Sequence, residues 1–327
     1  MTKEEPKYIK LRTEGIFNLQ NTAKEFNLTS AELVAFHNQY CGIHELLPLS
    51  LPKYVEYIYL PPKNFLERDI KLLKSANLQI PKIKSEKTYG VVLNFLPKEL
   101  SIHYKIKVIR TGEIIEIIKE KTYVNNLEID QTIEQLFEKA EQVLYPLKIS
   151  TDINGGLSKI LNSSEINDRW KREAESQLRK YYQSETGEEI INKLDQAFSD
   201  INKKRDMFDR NLFYKLFFLP IYQSYQNFKK DDYLSIYFAG ISQEISYRIE
   251  YDLQKEFTRG DKIALNVTGK EEENIFNRNR EKGEIDLLYK LHKETHEIFS
   301  ITGSISAFED GLECKIDFEL YELKNSQ

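Results

Sequence analysis

The sequence predicts an α+β fold with a small N-terminal domain and a larger C-terminal domain. Apolar residues recur every three or four positions within residues 16–27 and 165–207, which is typical of helices, and alternate with polar residues through much of 233–323, which is typical of strands. The 327 residues suffice for two domains at about 150 residues each. With 40% apolar residues, the chain has ample material for a buried core.

The first 61 residues are predicted to form a strand, two helices and a second strand. Residues 8–11 form the first strand, and residues 16–27 carry the apolar stripe of the first helix. Ser30 is the candidate N-cap of the second helix. Residues 55–60 form the closing strand, which ends at Pro61-Pro62 because proline cannot donate to a β-ladder.

A lysine-rich connector follows and separates the two predicted domains. It spans residues 64–87 and contains one possible short helix at residues 65–75. We therefore predict an N-terminal domain of residues 1–75, a linker of residues 76–87 and an α+β domain of residues 88–327.

The larger domain is predicted to contain strands, then helices, then strands. The first strands are residues 89–96, 102–110 and 113–118, followed by a helix at 130–144 and a hairpin that turns at Asn154-Gly155-Gly156. Helices are predicted at 165–182, 188–207 and 213–225, the last one kinked or ended near Pro220. Strands are predicted at 234–238, 245–251, 262–268, 285–291, 298–305 and 312–323. This order favours a mostly antiparallel sheet with helices packed on one side.

The N-terminal segment resembles the LysM domain, a small βααβ module best known for binding N-acetylglucosamine polymers. The resemblance covers residues 8–61 and is carried by positions in both strands, both helices and the exit from the second strand. The matching residues are Tyr8, Leu11, Ala23, Phe26, Leu28, Leu33, Asn38, Leu60 and Pro61. An asparagine at the position of Asn38 tolerates the backbone conformation that a helix end requires.

The resemblance implies a ligand groove in this module. The residues that it places there are Glu14, Gly15, Ile16, Phe17, Asn38 and Tyr40. LysM modules usually carry a Gly-Asp-Thr-Leu-like run after the first strand, whereas this chain keeps Gly15 without the Asp-Thr. They also usually have a glycine before the closing strand, where this chain has Leu51-Pro52-Lys53-Tyr54. Both departures favour a docking module that has kept the fold over a glycan binder.

Histidine and cysteine spacing offers two metal-site hypotheses, and both are weaker than structural interpretations. His292 and His296 lie in a segment that alternates as a strand, where residues four apart are about 13 Å distant and cannot share one zinc ion. We expect these two histidines on the solvent face. His37, Cys41 and His44 have no fourth ligand nearby, and cysteine is among the most buried residue types. We expect no metal, no cofactor and no catalytic residue.

Two features of the predicted helices have structural explanations. Trp170 is the only tryptophan, and its helical spacing favours a place in the core over a role as a partner-binding anchor. The run Asn162-Ser-Ser-Glu165 is read as a capping box that starts a helix.

Charge and composition exclude several classes of function. The net charge of −5 is spread along the chain without a basic run, which argues against nucleic-acid binding. The most apolar window, residues 212–222, is about half of what a membrane span needs. The N-terminus lacks the apolar segment of a signal peptide, and two cysteines, Cys41 and Cys314, are ordinary for a reducing compartment. We therefore expect a cytoplasmic protein.

These observations predict a non-enzymatic binding or adaptor protein. The N-terminal module would dock a protein partner, for example in a contractile, type VI-like bacterial secretion apparatus, and the larger domain would supply a second binding surface or a cavity. One alternative is a protein that binds peptidoglycan-type glycans. Another is a cell-wall hydrolase, because a LysM module is often the targeting arm of such an enzyme. The sequence contains no nucleotide-binding or nucleophile-elbow motif.

Overall fold

The computed structural model describes residues 8–13, 18–26, 28–49, 55–62, 72–129, 132–204, 206–258, 260–273 and 277–323. Within these ranges the chain forms a two-stranded sheet near its N-terminus and one 12-stranded antiparallel sheet accompanied by several helices. The predicted α+β fold is confirmed.

Residues 8–62, which we call the N-terminal module, follow the predicted order of strand, helix, helix and strand. The elements are β1 (Ile9–Arg12), α1 (Leu19–Glu25), α2 (Ser30–Asn38) and β2 (Tyr57–Leu60). β1 pairs antiparallel with β2. Buried side chains of β2, of the two helices and of the segments that connect these elements form a small core, which consists of Ala23, Leu28, Leu33, Val34, Ala35, Leu47, Val55, Ile58 and Leu60.

The start of α2 differs by one residue from the prediction. Thr29, and not Ser30, is the N-cap, and its side chain accepts a hydrogen bond from the Glu32 N–H. The Glu32 carboxylate in turn accepts from the Thr29 N–H, which completes a capping box. The predicted helix at residues 65–75 falls largely outside the described residues, and residues 72–75 are not helical.

The large sheet begins at residue 85 and contains the remaining strands. They are β3 (Ser85–Leu96), β4 (Leu100–Thr111), β5 (Ile114–Val124), β6 (Leu127–Glu128), β7 (Leu147–Thr151), β8 (Leu157–Ile160), β9 (Lys229–Phe238), β10 (Gln243–Leu253), β11 (Lys262–Glu271), β12 (Glu284–His292), β13 (Ile298–Glu309) and β14 (Leu312–Leu323). The strand order is β8-β7-β5-β4-β3-β14-β13-β12-β11-β10-β9, with β6 beside β5. The last strand therefore lies inside the sheet and joins its two halves.

One helix lies between β6 and β7, and the helices that follow β8 connect the two halves of the sheet. The helices are α3 (Thr132–Gln142), α4 (Ser163–Arg169), α5 (Glu175–Tyr181), α6 (Glu185–Ser199), α7 (Asp206–Asp209) and α8 (Leu212–Phe217). A π-helical turn, Trp170–Ala174, links α4 to α5, so the predicted helix at residues 165–182 is interrupted. α8 ends three residues before Pro220, in agreement with the expected break.

Two predicted turns have different outcomes. The hairpin at Asn154-Gly155-Gly156 is confirmed, because β7 pairs with β8 and Gly155 has a φ of +89° that favours glycine. The predicted capping box at residues 162–165 is wrong. α4 does begin after Asn162, but the Asn162 side chain accepts from the Lys148 N–H and donates to the Pro146 carbonyl instead of capping the helix.

The main core lies between one face of the large sheet and the helices. Trp170 is fully buried there, with its ring centroid 4.8 Å from that of Phe198. Its Nε1–H donates to the Asp195 carboxylate at 2.8 Å. The prediction that Trp170 is a core residue is confirmed. The face of the large sheet that is covered by the helices is called the inner face.

The N-terminal module packs on the opposite, outer face of the sheet. Along β14, Phe318 and Leu320 belong to the main core, whereas Tyr321 joins the core of the module. A Cβ atom on Gly90 of β3 would lie 2.8 Å from Cδ1 of Leu46 and 3.3 Å from Cδ1 of Ile43. A glycine at this position therefore lets the module approach the strand closely.

The segment between the module and the sheet runs along the large domain. Leu72 forms an isolated β-bridge with Glu256, and Asn77 forms one with Ser224. Leu78 is buried in the main core. Much of the predicted linker, residues 76–87, therefore has contacts of its own, and β3 begins within it.

Trp170→Ala is expected to lower the free energy of unfolding by about 3 to 5 kcal/mol, because it empties a large buried site and removes one of the two partners of the Asp195 carboxylate, the other being Lys171. Chemical denaturation measures the change. Tyr181→Ala is the matched control, because Tyr181 is 70% exposed and its removal leaves the core filled. Equal effects of the two substitutions would contradict the central place of Trp170.

Candidate functional site

The structure describes two of the six residues predicted to line a ligand groove. Glu14, Gly15, Ile16 and Phe17 lie outside the described residues. Asn38 is the last residue of α2 and is fully buried. Tyr40 follows the helix and is partly exposed. The two differ in role, because only Tyr40 presents part of its side chain at the surface.

Asn38 connects α2 to the chain that leads to β2. Its Oδ1 accepts from the Leu47 N–H at 2.8 Å, and its Nδ2 donates to the Leu47 carbonyl at 3.0 Å. The Asn38 side chain thus forms hydrogen bonds with both the N–H and the carbonyl of buried Leu47, as the backbone of a neighbouring strand would do. These contacts give Asn38 an internal role in the module, and the ligand role inferred from the resemblance stays a prediction.

His37 also has internal partners. The Tyr59 N–H donates to His37 Nδ1 at 3.2 Å, and Nε2 lies 2.9 Å from the Glu45 carbonyl. Because a backbone N–H only donates, Nδ1 is an acceptor and Nε2 carries the proton. Cys41 Sγ is 3.9 Å from Asn38 Oδ1. Within the described part of the chain, no group of three or more histidine, cysteine or acidic side chains is placed to hold a metal ion.

Five aromatic side chains of the module, of which four are joined by ring contacts and Tyr57 is linked to them through Lys10, are called the aromatic surface. They are Tyr8, Phe36, Tyr40, Tyr57 and Tyr59. Ring centroids are 5.1 Å apart for Tyr8 and Tyr40, 5.1 Å for Tyr8 and Tyr59, and 5.0 Å for Phe36 and Tyr40. These separations are typical of favourable aromatic pairs. All five side chains are partly or largely exposed, with Tyr8 at 39%.

The alternation of β2 explains why tyrosines reach this surface. Ile58 and Leu60 are fully buried in the module, so Tyr57 and Tyr59 point to the other side of the strand. Lys10 lies opposite Tyr59 in β1. Its ammonium group is 3.9 Å from the ring centroid of Tyr57 and 5.5 Å from that of Tyr59, within the range of cation–π contacts. The result is an aromatic patch with a positive charge on it.

A buried acid fixes the module to the outer face of the large sheet. The Glu319 side chain on β14 is almost fully buried, at 1% exposure. Its Oε1 accepts from the Leu49 N–H of the module at 2.6 Å, and its Oε2 accepts from the Tyr321 hydroxyl at 2.8 Å. Burial raises the pKa of the Glu319 carboxyl to about 7, against an unperturbed value of 4.5.

A buried basic residue lies on the same face of the sheet, two strands away from β14. Lys290 of β12 is 6% exposed, and burial lowers the pKa of its ammonium group. The Glu32 carboxylate of α2 acts in the opposite direction and favours the charged form. The module therefore covers groups of both signs on the outer face.

The two histidines predicted to lie on the solvent face have partners. His292 ends β12, and its Nε2 lies 2.5 Å from Glu322 Oε2 and 3.0 Å from Lys87 Nζ. Burial acts to raise the pKa of Glu322, but the hydrogen bonds from His292 and Lys87 outweigh it and lower that pKa. His296 lies in the following turn, where its Nδ1 accepts from the Gln79 N–H. The two rings serve separate contacts at the end of the sheet.

No protein-family model and no curated protein matches this sequence, so the comparisons assign no family. None of the helices in the described part of the chain is long and apolar enough to cross a membrane.

Tyr40 was predicted as a ligand-binding residue of the groove, and that role stays a prediction. The ring contacts of Tyr40 with Tyr8 and Tyr59 could not be predicted, because they depend on β1 and β2 being neighbours. Glu319 was missed. The sequence feature that could have identified Glu319 is the position of an acidic residue between Phe318 and Leu320, in the most apolar part of β14, where a charge is unexpected.

Asn38→Ala is expected to lower the free energy of unfolding by about 3 kcal/mol, because it leaves the buried N–H and carbonyl of Leu47 without partners. Thermal or chemical denaturation of the full chain measures the change. Gln39→Ala, at the neighbouring and more exposed position, is the control and is expected to change stability by about 0.5 kcal/mol or less. A small effect of Asn38→Ala would show that the Leu47 contact is dispensable.

Glu319→Gln is expected to change how stability depends on pH. The folded pKa is raised, so the native state holds its proton more tightly than the unfolded chain, and wild-type stability falls as pH rises from about 4.5 to about 7. The change from 4.5 to about 7 corresponds to a loss of stability on the order of 3 kcal/mol across this pH range. Glutamine keeps an acceptor for the Leu49 N–H without a charge.

The comparison is made by denaturation at pH 5 and pH 8. We expect the variant to lose less stability than the wild type between these two values. Glu313→Gln, at an exposed position on the same strand, is the control and should follow the wild-type profile. Parallel profiles for Glu319→Gln and wild type would refute a protonated, buried Glu319.

Proposed function

We propose that this protein is a non-enzymatic adaptor that docks a protein partner through the aromatic surface of its N-terminal module. The observation that carries the proposal is the cluster of partly exposed tyrosines around Tyr8, Tyr40 and Tyr59 with the ammonium group of Lys10 on it. Tyrosine is enriched in the regions of protein interfaces that contribute most to binding.

The chemistry of the surface favours a protein over a glycan. A sugar ring stacks on an open aromatic face, but Lys10 Nζ covers the face of Tyr57 at 3.9 Å. The rings of Tyr40 and Tyr59 are stacked on each other, with an interplanar angle of 26°. Asn38 is occupied by the Leu47 backbone. An acidic and aromatic segment of a partner would complement the positive charge of Lys10 and pack on the tyrosine rings.

The resemblance of residues 8–61 to LysM modules suggests where such docking is used. LysM-like modules serve as protein-docking elements in contractile injection systems, and we infer a role as a component or cargo adaptor of a type VI-like apparatus. The same resemblance supports the second candidate, which is binding to peptidoglycan-type glycans.

Site-specific photocrosslinking tests the docking proposal in living cells of the native host. The photoreactive residue p-benzoylphenylalanine replaces Tyr8 in the full chain. Tyr233 on β9 is the control position, because it is also an exposed tyrosine, at 62%, and lies on the large domain. We expect the Tyr8 position to yield one discrete protein adduct that the Tyr233 position does not yield.

The charge reversal Lys10→Glu, at an exposed position, is expected to reduce the adduct at least fivefold without lowering thermal stability. Identical adducts from both positions, or none from Tyr8, would contradict protein docking at this surface. In parallel, the full chain is sedimented with insoluble peptidoglycan. Retention that Lys10→Glu or Tyr40→Ala abolishes would favour the glycan function and overturn the proposal.

A further inference from the structure

A cavity of about 610 Å³ lies between the inner face of the large sheet and the helices. It is bordered by β3, β4 and β5 on one side and by α3, α6, α7 and α8 on the other. Most of its lining is apolar, and includes Leu93, Phe95, Ile102, Phe137, Phe198 and Phe208. Its size and character are those of small-molecule sites, which are concave, mostly apolar and equipped with a few polar groups.

A β-bulge brings two polar side chains of β5 into this apolar lining. Tyr104 lies opposite Thr122 and Ile106 lies opposite Lys119, so two steps along β4 correspond to three along β5. Regular alternation would place Lys119 and Thr122 on opposite faces. The extra residue in β5 turns both to the inner face, and both line the cavity.

Lys119 already has partners inside the protein. Its ammonium group lies 2.5 Å from Glu141 Oε2 and 4.4 Å from the ring centroid of Tyr104. The other Glu141 oxygen accepts from the Tyr145 hydroxyl at 3.3 Å, and that hydroxyl is 3.0 Å from the one on Tyr214. Lys119 and Glu141 neutralise each other, and the two tyrosine hydroxyls are hydrogen-bonded. These groups therefore do not require a charged ligand in the cavity.

Thr122, in contrast, has a hydroxyl without a partner. The residue is 7% exposed, and its Oγ1 is among the buried polar atoms that make no hydrogen bond in the described part of the chain. Its backbone N–H donates to Glu138 Oε1. A buried hydroxyl left unpaired destabilises the protein, and a ligand oxygen in the cavity would give the Thr122 hydroxyl an acceptor.

Arg210 places a positive charge at the rim of the cavity. Arg210 is exposed, and its Cζ lies 4.9 Å from the ring centroid of Tyr237, another lining residue. No carboxylate of the described residues forms an ion pair with it. Two carboxylates of α3, Glu134 and Glu138, also line the cavity. Glu134 lies in the first turn, where the helix N-terminus stabilises a negative charge, and Glu138 accepts the hydrogen bond from the Thr122 N–H.

We propose that this cavity binds a single-chain anionic lipid. The acyl chain fills the apolar interior, an ester carbonyl accepts a hydrogen bond from the Thr122 hydroxyl, and the acidic head group lies at the Arg210 guanidinium. Guanidinium groups bind phosphate and carboxylate oxygens through paired N–H donors. The proposal is independent of docking at the aromatic surface, because it uses the inner face of the sheet and the docking uses the N-terminal module.

The test titrates 1-oleoyl-lysophosphatidate into the full chain below its micelle concentration. The single tryptophan is a built-in reporter, because Trp170 contacts Phe198 in the cavity wall. We expect a saturable change in its fluorescence with one site per chain by calorimetry. Oleylamine, with a similar chain and a positive head, is expected to bind at least tenfold more weakly.

Three variants locate the binding. Arg210→Gln should weaken lysophosphatidate binding about fivefold to tenfold. It should also reduce the ratio of the protein's affinity for lysophosphatidate to its affinity for oleylamine. Thr122→Val should weaken binding about threefold or more while leaving the melting temperature of the free protein unchanged or higher, since it removes an unpaired hydroxyl. Ala239→Trp, at an exposed lining position, should block entry.

Arg248→Gln is the matched control, because this arginine is exposed and is not a lining residue, and it should bind as the wild type does. Absence of saturable binding would overturn the proposal. So would equal affinity for oleylamine, or binding that Arg210→Gln, Thr122→Val and Ala239→Trp all leave unchanged.

Discussion

The buried carboxyl group of Glu319 is the contact on which the arrangement of this protein depends. It receives the Leu49 N–H from the N-terminal module and the Tyr321 hydroxyl from its own strand. Because water is excluded there, the carboxyl is held by two directed hydrogen bonds instead of by solvent. The contact thereby fixes one point of the module against β14, the strand that joins the two halves of the sheet.

This contact places the two proposed binding sites on opposite sides of one sheet. The module and its aromatic surface belong to the outer face, whereas the cavity lies between the inner face and the helices. β14 takes part in both, since Tyr321 joins the module core and Ile316 lines the cavity. A partner bound to the module and a ligand bound in the cavity would therefore act on the same strand.

Local sequence patterns predicted the elements well. The alternation of apolar and polar residues predicted the strands within residues 233–323, and the Asn-Gly-Gly run predicted the hairpin of β7 and β8. The helical spacing around Trp170 predicted its place in the core. These features depend on period, turn chemistry and burial, which are local. The order βααβ was likewise found from the apolar stripe and the proline exit.

Long-range features could not be predicted in the same way. The place of β14 between β3 and β13 depends on pairing across more than two hundred residues, which no local pattern encodes. The bulge that turns Lys119 and Thr122 inward breaks the alternation on which strand prediction relies. The roles of Asn38 and Glu319 arise only when Leu47 and Leu49 are brought to them.

Hydrogen–deuterium exchange at the Leu49 amide tests most directly whether the module and the sheet form one body joined at Glu319. The Leu49 N–H is bonded to a buried carboxyl, so we expect it to be protected to a degree similar to that of the amides of β14. Protection should decrease in Glu319→Ala while the β13–β14 amides remain protected. Rapid exchange of Leu49 in the wild-type chain, beside a protected sheet, would contradict the account.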